Sequence, residues 1–148
     1  MRAPKEPNLA SPHTQEWWAC PGVVYFLGVG NPVAAVKIGM LAITAKFTLQ
    51  SAVRRRLSQI QTSNHEPVQV LGLKPFQSGA FPTREAEALE RELHIEFSHL
   101  ARFKPGTKGS EWFHSSTQLL QRISELSVPP EQLGVPRCIA VVANAPKI

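Results

Sequence analysis

The stretch that most restricts the possible folds of this chain is residues 22–40, GVVYFLGVGNPVAAVKIGM. Two short apolar runs, about Val23–Leu27 and Ala35–Met40, flank a segment rich in glycine, asparagine and proline. This arrangement is typical of two β-strands joined by a turn. The stretch also contains Tyr25, the only tyrosine of the chain, and Lys37, a charge inside the second apolar run. A hairpin that serves only a hydrophobic core has no need of either.

The expected register of this hairpin places both polar residues on one face of the sheet. If the turn is symmetric about Asn31, Tyr25 lies opposite Lys37, and the apolar residues that alternate with them cover the other face, which packs in the core. A cation beside a phenol lowers the pKa of the phenol because it stabilises the phenolate. The alternative is a tyrosine packed by its ring beside a lysine whose ammonium extends into solvent.

The remainder of the chain predicts an α+β domain. Apolar residues at helical spacing predict three helices, over residues 51–63, with Ser51 as a possible N-cap, 83–102 and 115–126. The β-branched and apolar content of VQVLGLKPF, which follows Pro67, predicts a third strand. EWF at 111–113 is predicted to be a short extended segment.

We expect one folded domain over residues 21–127, between an arm at 1–20 and a tail at 128–148 that could add an edge strand. The arm is expected to be irregular, apart from two tryptophans that dock on the domain. The chain has 148 residues, of which 43% are hydrophobic, which suits one domain with an ordinary core.

Composition also limits where the protein works and what it binds. The sequence has no apolar run near the roughly 18 residues of a membrane span and no apolar secretory signal. Cys20 and Cys138 lie far apart, which argues against a disulfide framework and a cysteine-rich zinc site. We therefore expect a cytoplasmic protein. The net charge of +5 permits an acidic partner such as nucleic acid without identifying one.

Two charged residues lie within or beside the apolar stripes of predicted helices. Arg56 borders the stripe of the helix over 51–63, where it is either a solvated arginine or a guanidinium that reaches the sheet and binds phosphate oxygens. Glu90 falls inside the stripe of the helix over 83–102. A carboxylate that faces the core needs a partner, because burying an unpaired charge is costly. That partner is either Mg²⁺ or, in an ordinary ion pair, Arg56.

Other patterns exclude several kinds of site. His94 and His99 are five residues apart and do not share a helix face, which argues against a histidine-based metal site. The GVGNP segment opens no helix, so it is not a dinucleotide-binding fingerprint, and no phosphate-binding loop of the GxxxxGK type occurs. No arrangement supports serine- or cysteine-based hydrolysis.

Taken together, these residues resemble the GIY-YIG nuclease superfamily. The resemblance spans about residues 22–125 and is similar to a branch found in phage and bacterial proteins. It rests on VVY at 23–25, KIG at 37–39, Arg56 in RRRLSQIQTSN, Glu90 in ExxLH, and the later HIEF and GSEWF segments. The resemblance implies a three-stranded antiparallel sheet flanked by helices. It also implies hydrolysis of DNA phosphodiester bonds that depends on Mg²⁺ or Mn²⁺.

The resemblance also implies roles for four catalytic residues. Tyr25 matches the tyrosine of the first motif, and Lys37 stands at the place of the second tyrosine, as in some restriction enzymes of the family. Arg56 matches the helix arginine, and Glu90 matches the metal-binding glutamate. We expect Tyr25, as a phenolate favoured by Lys37, to accept a proton from the attacking water. Arg56 would neutralise charge on the phosphoryl oxygens, and Glu90 would hold the metal.

Further residues are expected to contact the DNA itself. The predicted nucleic-acid contacts are Arg54, Arg55, His94, Lys104 and Lys108. Two alternatives to the endonuclease stay open from the sequence. One is a module that binds nucleic acid on the same scaffold without cleaving it. The other is a structural module in which Tyr25, Lys37, Arg56 and Glu90 form only a buried polar network.

Overall fold

The computed structural model describes residues 6–107, 109 and 111–139 of the chain. This part contains an antiparallel sheet whose strands are β1 Gly22–Val29, β2 Ala35–Ala42, β3 Val68–Phe76 and β4 Trp112–His114, in the order β3-β1-β2-β4. The α-helices are α1 Pro12–Trp18, α2 Leu49–Gln61, α3 Pro82–Glu96 and α4 Thr117–Leu126. Short 3-10 helices cover Pro7–Leu9, Ser98–Leu100 and Pro130–Leu133. The predicted α+β class agrees with this architecture.

The hairpin of β1 and β2 differs from the predicted register by two residues. Gly30 opens the turn with a φ of +101°, a conformation that residues with a Cβ rarely adopt. Tyr25 pairs with Gly39 instead of Lys37, so a turn symmetric about Asn31 is the wrong assumption. A shift of two residues preserves the alternation of a strand. Tyr25 and Lys37 therefore still lie on the same face.

Helices cover both faces of the sheet and create two hydrophobic cores. The core on the Tyr25 face joins the sheet to α2, and its members include Val23, Leu27, Val53, Leu57, Val70 and Leu73. The opposite core joins the sheet to α3 and α4, and its members include Val24, Phe26, Val36, Ile38, Leu93 and Leu119. The prediction that the apolar residues alternating with Tyr25 and Lys37 pack in a core is confirmed.

The sheet has one strand more than the three that the resemblance implied. The extra strand, β4, nearly coincides with the predicted extended segment at 111–113 and pairs with β2 from Ala35 to Lys37. Phe113 is buried in the core, and the Ile38 amide donates to the Glu111 carbonyl at 3.0 Å. A strand of three residues is too short to show an alternating pattern, so its pairing was not visible in the sequence.

The helix predicted over 83–102 ends earlier, because α3 stops at Glu96. Phe97 leaves the helical conformation with φ −108° and ψ 23°, and a single 3-10 turn follows. Ala101 then forms a bridge with Phe113 of β4. The apolar spacing continues past the helix end because the same residues pack against the sheet in another conformation.

The N-terminal arm is not irregular over its whole length, which corrects the prediction for residues 12–18. Ser11 caps α1 by accepting a hydrogen bond from the Thr14 amide at 3.1 Å. Trp18 is 6% exposed and lies edge-on to Phe81, with 6.1 Å between the ring centroids. The expected docking of tryptophan on the domain is thus seen for Trp18.

The described part of the tail, residues 128–139, lies beside β3. Val128 forms a bridge with Leu73, and Cys138 forms one with Gln69. The rest of the predicted edge strand, from residue 140 onward, lies outside the described residues. Within the described residues, none of the helices combines the length and the apolar character needed to cross a membrane.

Candidate functional site

Helix α2 presents an arginine to the Tyr25 face of the sheet. The helix begins after Thr48, not at Ser51 as predicted, and these two residues form a reciprocal capping box. Val53 and Leu57 are buried and fix the orientation of the helix on the sheet. Arg56, at the border of this apolar stripe, is half-buried, and its guanidinium reaches Tyr25 of the sheet. Of the two alternatives for Arg56, the structure shows the one in which it reaches the sheet, and its contact with phosphate stays a prediction.

Arg56 meets Tyr25 at the sheet surface. Its Nη1 donates a hydrogen bond to the Tyr25 hydroxyl at 3.0 Å, and its guanidinium lies 5.8 Å from the centroid of the ring. Tyr25 is only 1% exposed. Its ring lies over Gly39 of β2, where a Cβ would overlap the tyrosine Cζ and hydroxyl oxygen. The glycine of the KIG segment is thus needed to accommodate the tyrosine.

The environment of Tyr25 does not favour a phenolate. The pKa of Tyr25 is raised to about 12, mainly by burial and to a smaller extent by the charges of Glu111 and Glu90, against the opposing effect of the Arg56 guanidinium. Desolvation of the charged form outweighs the nearby cation. Tyr25 is therefore a neutral phenol near pH 7, and the expectation of a phenolate stabilised by Lys37 is wrong.

Lys37 is directed towards β4. Its Nζ lies 3.2 Å from a Glu111 carboxylate oxygen and 5.5 Å from the centroid of the Trp112 ring. The lysine side chain is 14% exposed and the glutamate 42%. Sequence reasoning did not select Glu111 or Trp112 as site residues, although both belong to the EWF segment. Their proximity to Lys37 depends on the pairing of β4 with β2, which was not predicted.

These side chains surround an open pocket of about 290 Å³, which we call the cleft. Its lining comprises Tyr25, Lys37, Arg56, Gln59, Ile60, Ser63, Asn64, Glu111 and Trp112. Three of the four predicted catalytic residues are among them, contributed by β1, β2 and α2. The space between them is bordered mainly by polar groups, so a polar ligand such as a phosphate suits the cleft.

Glu90, the fourth predicted catalytic residue, is on α3 and is not among the residues that line the cleft. Its charge nevertheless acts there, because it contributes to the raised pKa of Tyr25. Burial raises the pKa of Glu90 to about 7, with further contributions from Glu111 and Glu87, while Lys37 lowers it. Glu90 therefore affects the electrostatics of the cleft although its side chain does not line it.

The ion pair between Glu90 and Arg56, one of the two alternatives that the sequence left open for Glu90, is not formed. Arg56 binds Tyr25 instead, and the described part of the chain offers the Glu90 side chain no hydrogen bond and no ion pair within 4.0 Å. Burial of the carboxylate is the main reason why the pKa of Glu90 is raised, and the nearby charges of Lys37 and Arg91 lower it without outweighing burial. A cation near Glu90 would stabilise its charged form.

The donor groups limit the kind of metal site that is possible. Among residues 6–107, 109 and 111–139, no three histidine, cysteine, aspartate or glutamate side chains cluster as metal ligands. Two carboxylates act on Glu90: Glu111, which pairs with Lys37, and Glu87, which accepts a hydrogen bond from Trp18. Mg²⁺ often binds through one or two carboxylates, with water and phosphate completing its shell. The residues therefore fit a hydrated Mg²⁺ shared with a phosphate, and they do not fit a site closed by protein ligands.

His94 has partners within the fold. Its Nε2 donates to the Ile38 carbonyl at 2.9 Å, and its ring lies edge-on to Phe113 with 5.1 Å between centroids. Because His94 follows Glu90 by four residues, this contact also fixes the side of α3 that carries Glu90 against β2. In this structure His94 links α3 to the sheet, and a contact between His94 and DNA stays a prediction.

The other predicted DNA contacts lie on the surface where the structure describes them. Arg54 and Arg55 are exposed on α2, and the Arg55 guanidinium lies 5.4 Å from the centroid of the Phe47 ring. Lys104 is exposed in the loop before β4. Lys108 lies outside the described residues. Neither arginine lines the cleft, although both lie on the helix that carries Arg56.

A family model places the chain among known domains. The model of the T5orf172 domain matches residues 22–128, which extend from β1 to the end of α4 and two residues beyond. This region includes the whole sheet and every residue of the cleft, whereas α1 lies outside it. Comparisons with curated proteins and with solved structures gave no match. The chain belongs to the T5orf172 domain family.

Proposed function

We propose that the chain is a metal-dependent endonuclease of the GIY-YIG type that hydrolyses DNA phosphodiester bonds. The T5orf172 family is associated with nucleases, which supports this class of activity. The observation that carries the proposal is the convergence of Tyr25, Lys37 and Arg56, from three separate elements, on one cleft. A hydrophobic core does not require three such polar groups at an opening.

Arg56 is proposed to bind the phosphate. One of its donors is used by the Tyr25 hydroxyl, and the remaining N–H groups are available to a ligand in the cleft. The planar guanidinium suits phosphate oxygens, and a donor held in place before the reaction stabilises the charge that grows on them. The hydrogen bond to Tyr25 reduces the freedom of Arg56 and so contributes to this preorganisation.

Tyr25 is proposed to position the attacking water and not to deprotonate it. With a pKa of about 12, its phenol keeps its proton near pH 7. The hydroxyl oxygen accepts a hydrogen bond from Arg56, so its own O–H can donate to a water or a phosphate oxygen in the cleft. Lys37, which pairs with Glu111, adds a further positive charge to the lining of the cleft.

Glu90 is proposed to hold Mg²⁺ or Mn²⁺ beside the cleft, with Glu111, whose charge raises the pKa of Glu90, as a second carboxylate. When bound, the metal would activate the attacking water and neutralise charge on the phosphate and on the leaving oxygen. The exposed Arg54, Arg55 and Lys104 would contact the DNA backbone independently of its sequence.

A second candidate function is a module that binds nucleic acid without cleaving it. It is favoured by the lack of a three-ligand metal cluster among the described residues and by the engagement of Glu111 with Lys37. In this case the positive groups of the cleft would hold a phosphate, and Glu90 would have no metal to bind.

A nicking assay on supercoiled plasmid DNA tests the proposal. We expect wild-type protein to nick the plasmid with Mg²⁺ or Mn²⁺ and not with EDTA, and Glu90→Gln to lose at least about a hundredfold in rate. Glu92→Gln, an exposed position on the same helix, is the control and should keep the wild-type rate. Binding that persists with EDTA, with no nicking under either metal, would reject the enzyme and support the binding module.

A further inference from the structure

A second pocket adjoins the cleft on the same side of the sheet. Its volume is about 320 Å³, and it shares Arg56 and Gln59 with the cleft. On α2 the second pocket is lined between positions 52 and 59, and the cleft between positions 56 and 60. The lining of the second pocket thus begins four residues before that of the cleft, or about 6 Å at 1.5 Å per residue. Neighbouring groups of a single nucleotide chain can bridge such a separation.

The lining of the second pocket differs from that of the cleft. Its walls are mostly apolar, formed by Leu41, Ala42, Phe47 and Ala52. Polar atoms are confined to Thr44, Gln59 and the two arginines. A small pocket with apolar walls and few polar groups is typical of a site for a planar organic ligand, and its volume is at the lower end of the roughly 300–1,000 Å³ usual for such sites.

Phe47 forms an aromatic wall of this pocket, and its backbone and ring both contact neighbouring groups. Its amide donates to the Thr44 carbonyl at 3.0 Å, which closes a turn directly before α2. The Arg55 guanidinium lies 5.4 Å from the centroid of the ring, and part of the ring packs against the core. Aromatic rings and guanidinium planes are the surfaces on which unpaired bases stack in proteins that bind nucleic acids.

We propose that the second pocket binds one unpaired nucleobase next to the phosphate held in the cleft, so that the preferred substrate is DNA with an extruded or unpaired nucleotide at the cleavage position. The base would stack on Phe47, while Gln59 and Thr44 offer donors and acceptors to its polar edge. A base that is paired within a duplex cannot enter such a pocket, because its faces are covered by its neighbours. The inference rests on the proposed function, since Arg56 joins the base pocket to the phosphate cleft.

Equilibrium binding, measured by fluorescence anisotropy in EDTA so that no cleavage occurs, tests this inference. The probes are a short labelled duplex and the same duplex with one extra unpaired nucleotide. We expect the wild-type protein to bind the bulged duplex at least about fivefold more tightly, which is the lower end of the range for base–aromatic stacking. Phe47→Leu keeps apolar volume but removes the aromatic face, so it should abolish the preference, whereas Phe47→Trp should retain it.

The control variant is Phe103→Leu, because Phe103 is 47% exposed and does not line the second pocket. It should keep the preference for the bulged duplex. Equal affinity of the wild-type protein for both probes, or an unchanged preference in Phe47→Leu, would overturn the inference while leaving the proposed function intact. Failure to bind either DNA would overturn both.

Discussion

The carboxyl group of Glu90 is harder to ionise in the folded chain than in water. Burial, with the neighbouring carboxylates of Glu111 and Glu87, raises its pKa to about 7. The native state therefore holds a proton at Glu90 between about pH 4.5 and 7 that the unfolded state has already released. Unlike a salt-bridged carboxylate, Glu90 makes the free energy of unfolding fall as the pH rises through this window. A bound metal ion would offset that loss.

Glu90→Gln should remove this pH dependence. In EDTA at pH 8, we expect the free energy of unfolding of the variant to exceed that of the wild type by roughly 1–3 kcal/mol, because the amide carries no charge to bury. At pH 4.5 the two proteins should be about equally stable. Urea denaturation at both pH values measures the difference, with Glu92→Gln as the exposed control. A difference that does not change with pH would contradict this account of Glu90.

Residue patterns predicted much of the site but not its protonation states. The shared face of Tyr25 and Lys37 follows from strand alternation, which survives an error of two residues in the register. The protonation state of Tyr25 was predicted wrongly, because it depends on the burial of Tyr25 and on the pairing of Lys37 with Glu111. Both arise from tertiary contacts that the sequence pattern does not show. Glu111 is absent from the prediction for the same reason.

Among the described α-helices, α1 is the one that lies outside the matched family region, and it packs on the surface of that region. Trp18 contacts Phe81 before α3, and its Nε1 donates to the Glu87 carboxylate at 3.3 Å. The Arg84 guanidinium lies 5.1 Å from the centroid of the Trp18 ring. The helix α1 thus packs against the start of α3, about two turns before Glu90.

Trp18→Ala should destabilise the fold strongly. Truncation of a buried tryptophan costs about 3–5 kcal/mol, since it removes apolar contacts and leaves a cavity. Trp17→Ala, at the preceding and less buried position, should cost clearly less. Chemical denaturation of both variants measures the difference. Equal stability of Trp18→Ala and wild-type protein would show that α1 does not support the domain.

Long elements were predictable from periodicity, whereas short ones were not. The strands β1, β2 and β3 and the helix α2 contain enough residues to show alternation or a helical stripe. The three-residue β4 does not, so the fourth strand was missed. The end of α3 was placed too late because apolar spacing continues through Ser98–Leu100. Both errors concern segments whose conformation is fixed by contacts between β4 and its neighbours.

Exposed charges differ between the two helices that cover opposite faces of the sheet. Arg54 and Arg55 are exposed on α2, which packs on the face that carries the cleft, whereas Glu92 and Glu96 are exposed on α3 on the other face. The net charge is +5. A polyanion would therefore be attracted to the α2 side, where the cleft and the second pocket open. This orientation could not be predicted from the sequence, because it depends on which helix covers which face of the sheet.

The salt dependence of DNA binding tests this orientation. Each phosphate contact contributes about 0.9 to the slope of log K against log salt concentration. The double variant Arg54→Ala, Lys104→Ala should therefore reduce the slope by about two units, measured by anisotropy in EDTA. Arg122→Ala, whose side chain pairs with Glu96 at 3.4 Å, is the control and should leave the slope unchanged. An unaltered slope in the double variant would place the DNA elsewhere.

The most direct test of the claim that the cleft and Glu90 form one catalytic site is a double-mutant cycle on single-turnover DNA cleavage with Mg²⁺. The cycle compares wild type, Arg56→Ala, Glu90→Gln and the double variant. We expect each single change to lower the cleavage rate by about 10²–10³. The double variant should cleave little more slowly than the slower of the two single variants, because residues that act as one unit have non-additive effects on the rate. Wild-type rates in either single variant, or a double loss equal to the product of the two single losses, would contradict the claim.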